Sequence, residues 1–136
     1  MSRFWMLLIG LCGLAITGCS SPSGATTGFV RFSDGEPVRS GSVEFRSLAD
    51  GSRFAGRIDQ SGQFSLASSE GKPGCPPGEY EVVVVQIVLT EDLPLRQHTH
   101  GRTVPRRYAD YHTSGLRITS EPSLAKPLEV VLPTDA

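Results

Sequence analysis

From residue 27 onward, apolar and polar positions alternate in short runs. A period of two marks a strand with one buried face. Over residues 27–33, Val30 and Phe32 share one face, while Phe29 and Arg31 share the other. Over 42–46, Val43 and Phe45 lie opposite Ser42, Glu44 and Arg46. Over 53–59, Phe54 and Ile58 lie opposite Arg53 and Arg57, and over 63–66 Phe64 and Leu66 point inward. Asp34-Gly35, Asp50-Gly51 and Gln60-Ser61-Gly62 separate these runs with turn chemistry. The turns recur every 8–12 residues or so, the rhythm of an all-β sandwich or barrel.

Pro76-Pro77-Gly78 launches the strongest run, residues 79–89. It alternates through Glu79-Tyr80-Glu81-Val82 and then becomes nearly continuous, broken by Gln86. A run apolar on both sides needs cover on both faces, which predicts a central strand whose far end nears an edge or loop. Its β-branched density favours strand over helix. Residues 90–113 are polar and irregular, longer than an ordinary hairpin connection, and predict a functional or mobile loop. Leu116 and Ile118, then Leu128, Val130 and Leu132, alternate again and predict two closing strands, giving seven in all.

A different pattern precedes these strands. Arg3 is followed by Phe4–Ile16, almost wholly apolar, shorter than the roughly 20 residues a spanning helix needs. Length, charge and the small residues that close it fit a signal peptide over 1–18. Ile16-Thr17-Gly18-Cys19 resembles the lipobox of bacterial lipoproteins. The resemblance implies cleavage before Cys19, a diacylglyceryl thioether on its sulfur and an acylated amine. Three acyl chains, at about 0.8 kcal/mol per buried CH₂, would hold a protein on a membrane essentially for good. Ser20 is not the aspartate associated with inner-membrane retention, which favours the outer membrane where a cell has one. Residues 19–26 are small and polar and read as a tether. Residues 27–134 form the expected domain.

Removing Arg3 with the leader leaves 12 Lys+Arg against 14 Asp+Glu, a net charge of −2 for the mature chain. That balance excludes a general affinity for nucleic acid. The three cysteines supply no disulfide framework: Cys12 leaves with the leader, Cys19 is taken by lipid, and Cys75 remains alone. Cys75 reads as a partly covered turn residue, with a reactive thiol or an intermolecular bridge as the alternatives.

Several short pieces occur in a telling order: Asp34-Gly35-Glu36-Pro37-Val38, Gly41-Ser42-Val43-Glu44-Phe45, Gly56-Arg57-Ile58-Asp59, Gly62-Gln63-Phe64, Pro77-Gly78-Glu79-Tyr80-Glu81-Val82, Val104-Pro105-Arg106-Arg107-Tyr108 and Ser114-Gly115-Leu116. The set resembles bacterial transthyretin-like, or carboxypeptidase-regulatory-like, lipoproteins over nearly the whole mature chain. The resemblance implies an all-β, seven-stranded Greek-key sandwich and little about activity. Hydroxyisourate hydrolases share that fold, but they end in a Tyr-Arg-Gly-Ser type tail and use catalytic histidines. This chain ends Val-Val-Leu-Pro-Thr-Asp-Ala and has no histidine before His98, so that activity does not carry over.

Candidate chemistry concentrates in residues 96–112, which hold all three histidines. Arg96, Arg102, Arg106 and Arg107 have no acid among them and, with Tyr108, form a candidate ligand-binding loop for carboxylates or phosphates. Tyr108 also has a structural reading, its ring docked on the end of the sandwich. In an extended chain His98 and His100 project to one side, and Asp110 and His112 repeat the spacing, a candidate set for zinc or copper. No nucleophile–base motif or phosphate loop occurs. The sequence therefore predicts a lipid-anchored, non-enzymatic binding or structural module of the cell envelope. It needs no cofactor and faces envelope polysaccharide or protein. A periplasmic metal-binding protein is the alternative.

Overall fold

On β1 (Thr27–Phe32), Val30 and Phe32 turn inward and are buried, while Thr27 and Phe29 face out. The same alternation buries Val43 and Phe45 on β2 (Ser42–Ser47) and Phe54 on β3 (Arg53–Arg57). The remaining elements are β4 (Gln63–Ser65), β5 (Ala67–Ser68), β6 (Gly78–Val85), a 3-10 helix (Arg106–Ala109), α1 (Tyr111–Ser114), β7 (Leu116–Ser120) and β8 (Leu128–Leu132). These belong to a computed structural model that describes residues 24–87, 100–122 and 126–134. The expected leader, Cys19, Arg96 and His98 lie outside the described residues. Among the described residues no helix is long and apolar enough to cross a membrane.

The strands form two sheets, one ordered β4-β1-β8 and the other β5-β3-β2-β6-β7. β1 pairs antiparallel with β4 and parallel with β8, Gly28 standing opposite Leu128 and Phe32 opposite Leu132. In the larger sheet every pairing is antiparallel. Val30, Phe32, Phe64, Val130 and Leu132 face Val43, Phe45, Tyr80, Val82 and Val84 across the core. Phe45 and Phe64, one from each sheet, stand 5.8 Å apart between ring centroids, and Phe45 and Phe54 each lie 6.0 Å from Tyr80. Tilted and edge-on aromatic pairs of this kind add about 0.5–1.5 kcal/mol beyond their buried area.

The described residues form eight strands rather than seven. The eighth is β5, immediately after the expected 63–66 strand, where the chain passes Leu66 and joins the other sheet. β3 stops at Arg57, because the Ile58 amide donates to Gly41 O instead of to a strand partner. β6 has neighbours on both sides, as expected of a central strand, and buries Val83 on its outer face as well as Val82 and Val84 within. It ends at Val85, and Ile87 beyond it is 77% exposed. The expected loop over 90–113 is irregular only in part. From Pro105 it folds into the 3-10 helix and α1, both packed on β6.

The expected tether is ordered at its end. Gly24 and Ala25 are buried. Thr26 O accepts from the Leu66 amide at 2.7 Å, and Ala25 O from the Cys75 amide at 3.2 Å. The folded body thus begins at one end of the sandwich, beside Cys75, Ser120 and the Leu48–Gly51 turn. The Asp34–Pro37 turn, residues 100–110 and Pro133 occupy the opposite end.

Gly28 explains how β4 fits so closely. It faces inward, and a β carbon there would lie 2.4 Å from both Leu128 O and the Phe64 ring. Phe64, its register partner, fills that space with its ring. Gly28→Ala should therefore destabilise the fold by about 1–3 kcal/mol, the usual cost of overpacking. A lowered urea midpoint with an unchanged slope would confirm it; an unchanged midpoint would refute it.

Candidate functional site

The residues after β6 are held by Gln86. Its amide nitrogen donates to Ser40 Oγ at 3.1 Å and to His100 O at 3.4 Å, and its oxygen accepts from the Val104 amide at 2.9 Å. Val104 is buried and Pro105 opens the 3-10 helix. That turn drives the Tyr108 ring into the core, 2% exposed, with its hydroxyl donating to Pro133 O at 2.8 Å. Tyr108 is thus structural and is not available to a ligand.

Of the expected basic loop, Arg102, Arg106 and Arg107 are among the described residues, and Arg102 and Arg107 are engaged within the fold. Arg107 lies 4.7 Å from the Tyr108 ring centroid and donates to the Tyr108 hydroxyl at 2.6 Å and to Pro133 O at 3.4 Å. Arg102 pairs with Asp34 at 2.5 Å and with Glu36 at 3.8 Å, and its guanidinium sits 4.5 Å above the Phe32 ring. The Glu36 backbone N–H, and then Arg102, hold the Asp34 carboxyl below its ordinary range. Asp34 stands 68 positions away from Arg102 in sequence, with Glu36 two residues after it, so counting charges near the arginines misses them. Arg106 projects into solvent.

The candidate metal ligands are also used otherwise. Asp110 and His112 do not lie along an extended chain. Asp110 Oδ1 accepts from the His112 amide at 2.8 Å and caps α1, while the His112 ring is exposed. Among the described residues no three His, Cys, Asp or Glu side chains gather closely enough to hold a metal. Cys75 is fully buried rather than partly covered. Its sulfur lies 3.7 Å from Ala25 O, and burial pushes its thiol pKa up, so the protonated and unreactive form is favoured.

Two surface features escape sequence reasoning. On the outer face of the larger sheet, Tyr111 donates to Glu44 Oε1 at 2.7 Å, and Arg46 stacks 3.9 Å above its ring. Arg46 also pairs with Glu81 at 2.5 Å, and Arg53 reaches Glu44 at 3.6 Å. Burial and Glu44 both disfavour the Tyr111 phenolate, raising its pKa. This cluster is satisfied within itself and clamps α1 onto the sheet. Alternation put Glu44 and Arg46 on one face, but nothing local linked them to Tyr111.

The second feature is open. A groove of about 400 Å³ lies between β1, β4 and the chain leaving β3, lined by Phe29, Arg57, Asp59 and Gln63 with Phe64 behind them. Another hollow, about 620 Å³, opens beside Gly24 and Cys75, where Arg53, Phe54, Lys72 and Pro73 line it. No family model, curated protein or solved structure matches the chain.

Tyr108→Phe removes a hydrogen bond inside the fold and should lower stability by about 0.5–1.5 kcal/mol. Arg106→Ala, at an exposed site, should stay within about 0.5 kcal/mol of wild type. Equal denaturation midpoints for both variants would contradict these roles. Tyr80 adds a pH dependence. Burial pushes its pKa from 10.0 up to about 12, and its hydroxyl donates to Pro76 O at 2.6 Å. Above pH 10 the unfolded chain gives up this proton while the folded one keeps it, so stability should fall as pH rises from about 10 to 12. Tyr80→Phe should flatten that slope in denaturation series at alkaline pH.

Proposed function

We propose that the chain is a lipid-anchored, non-enzymatic binding module of the cell envelope, wired as the transthyretin-like Greek-key sandwich its motifs resemble. The observation that carries this reading is the packing of Gly24, Ala25 and Thr26 directly behind the Ile16-Thr17-Gly18-Cys19 motif. Only Ser20, Ser21, Pro22 and Ser23 separate Cys19 from the folded body. Even fully extended, that stretch keeps the body within about 18 Å of the acylated residue. The end bearing Gly24, Cys75 and the Leu48–Gly51 turn then faces the lipid, and the end bearing Asp34, Arg102 and Arg106 faces away.

Binding rather than catalysis is supported by how the reactive side chains are used. Asp110 caps a helix, Arg102 and Arg107 hold loops, and Tyr111 clamps α1. The envelope, in the cell membrane or outer membrane, supplies polysaccharide or protein as partner. Cys19→Ala should abolish palmitate labelling in cells and leave the uncleaved 14.6 kDa chain with its apolar leader attached. Wild-type protein that already partitions into water with its leader attached would overturn the proposal.

A further inference from the structure

We propose that the groove between β1, β4 and the chain leaving β3 binds a neutral saccharide, with Phe29 as its stacking platform. The inference names a ligand class for the binding module above and rests on that reading for the ligand's presence. It starts from an anomaly in the smaller sheet. Its outward positions are Thr27 and Arg31 on β1, Gln63 and Ser65 on β4, and Glu129 and Val131 on β8. Phe29 sits at the centre of this mostly polar face, 36% exposed, opposite Gln63 on one side and Glu129 on the other.

The two sides of Phe29 differ. Towards β8, Arg31 and Glu129 pair with each other and close that flank. Towards β4 the surface hollows into the groove, whose polar lining is Thr27, Arg57, Asp59, Gln63 and Ser65. Asp59 is held in place, since Oδ1 accepts from the Ser61 amide at 2.8 Å, the Ser61 hydroxyl at 2.6 Å and the Gln63 amide at 3.0 Å. Its position is therefore set by the turn before any ligand arrives.

These groups match a pyranose. A sugar ring offers a face of C–H groups and a rim of hydroxyls that each donate and accept. The electron-rich aromatic face suits the C–H groups. The guanidinium of Arg57 only donates, the carboxylate of Asp59 only accepts, and the amide of Gln63 and the hydroxyls of Thr27 and Ser65 do both. An apolar ligand would strand those groups without partners, which costs more than the contact returns. A polyanion would meet the Asp59 carboxylate within the groove. At about 400 Å³ the groove falls within the size range of small-molecule sites. It lies along the flank of the sandwich, open to a polymer lying alongside the body.

The test uses the full chain in detergent micelles, first on an array of neutral and acidic oligosaccharides and then by calorimetry with the strongest neutral binder. Phe29→Ala should weaken binding by about tenfold, the scale of one lost aromatic contact. Arg57→Ala should weaken it several-fold, and Phe29→Trp should restore it. Because both side chains are exposed, melting temperatures should stay at the wild-type value. Absence of neutral saccharide binding, preference for acidic glycans, or equal affinity in Phe29→Ala overturns the proposal. Detergent partitioning of the same preparations separates the two readings. Protein in the detergent phase that binds no saccharide refutes only the groove, and saccharide-binding protein in the aqueous phase refutes only the anchor.

Discussion

The contact between Phe45 and Phe64 joins the two sheets across the core, and the rest of the body depends on it. The smaller sheet has strands of six and five residues and one three-residue edge, and its inward face is apolar. It becomes stable by covering its inward face. Phe64 does this from the shortest edge, with its ring over Gly28 and against Phe45. The two residues are complementary: the missing side chain at 28 is the space the ring at 64 occupies. Gly56 makes a similar allowance on the other sheet, where a β carbon would lie 2.2 Å from Ser65 O. Close backbone approach on both sides lets so short a strand belong to the core.

The strands could be read from the chain because burial of one face imposes a period of two, and Val30, Phe32, Phe54, Phe64 and Tyr80 obey it. What could not be read has one physical origin, partners remote in sequence. Leu66 looks like the end of a strand, but there the chain leaves one sheet for the other. Gly24 and Ala25 carry almost no apolar surface, and their burial comes from Cys75, about fifty positions away. Val88 and Leu89, expected to continue the sixth strand, lie outside the described residues.

The same cause moved the candidate site. Arginines and histidines crowded into one polar segment suggested a surface for ligands, yet Asp34, Glu36 and Pro133 converge on that segment and engage Arg102 and Arg107. Tyr108 buries its ring, Tyr111 is half-buried under Arg46, and each finds an acceptor for its hydroxyl. Phe29, with no hydroxyl to satisfy and no core position to fill, remains turned outward beside a fixed carboxylate. Alternation had already placed Phe29 with Arg31 on one face, opposite Val30 and Phe32. The missing information was that β4 and the end of β3 would bring Gln63, Asp59 and Arg57 around it.

The parallel pairing of β1 with β8 sets the order in which the body can be completed. Gly28 meets Leu128 and Phe32 meets Leu132, partners one hundred positions apart. Closing so long a loop is entropically slow, and synthesis delivers β1 long before its neighbour. Until residues 128–132 emerge, β1 has one edge unpaired and Gly28 lacks the carbonyl that crowds it. A nascent chain of this design therefore completes its smaller sheet only after β8 has been made, although β1 and β4 are in place long before.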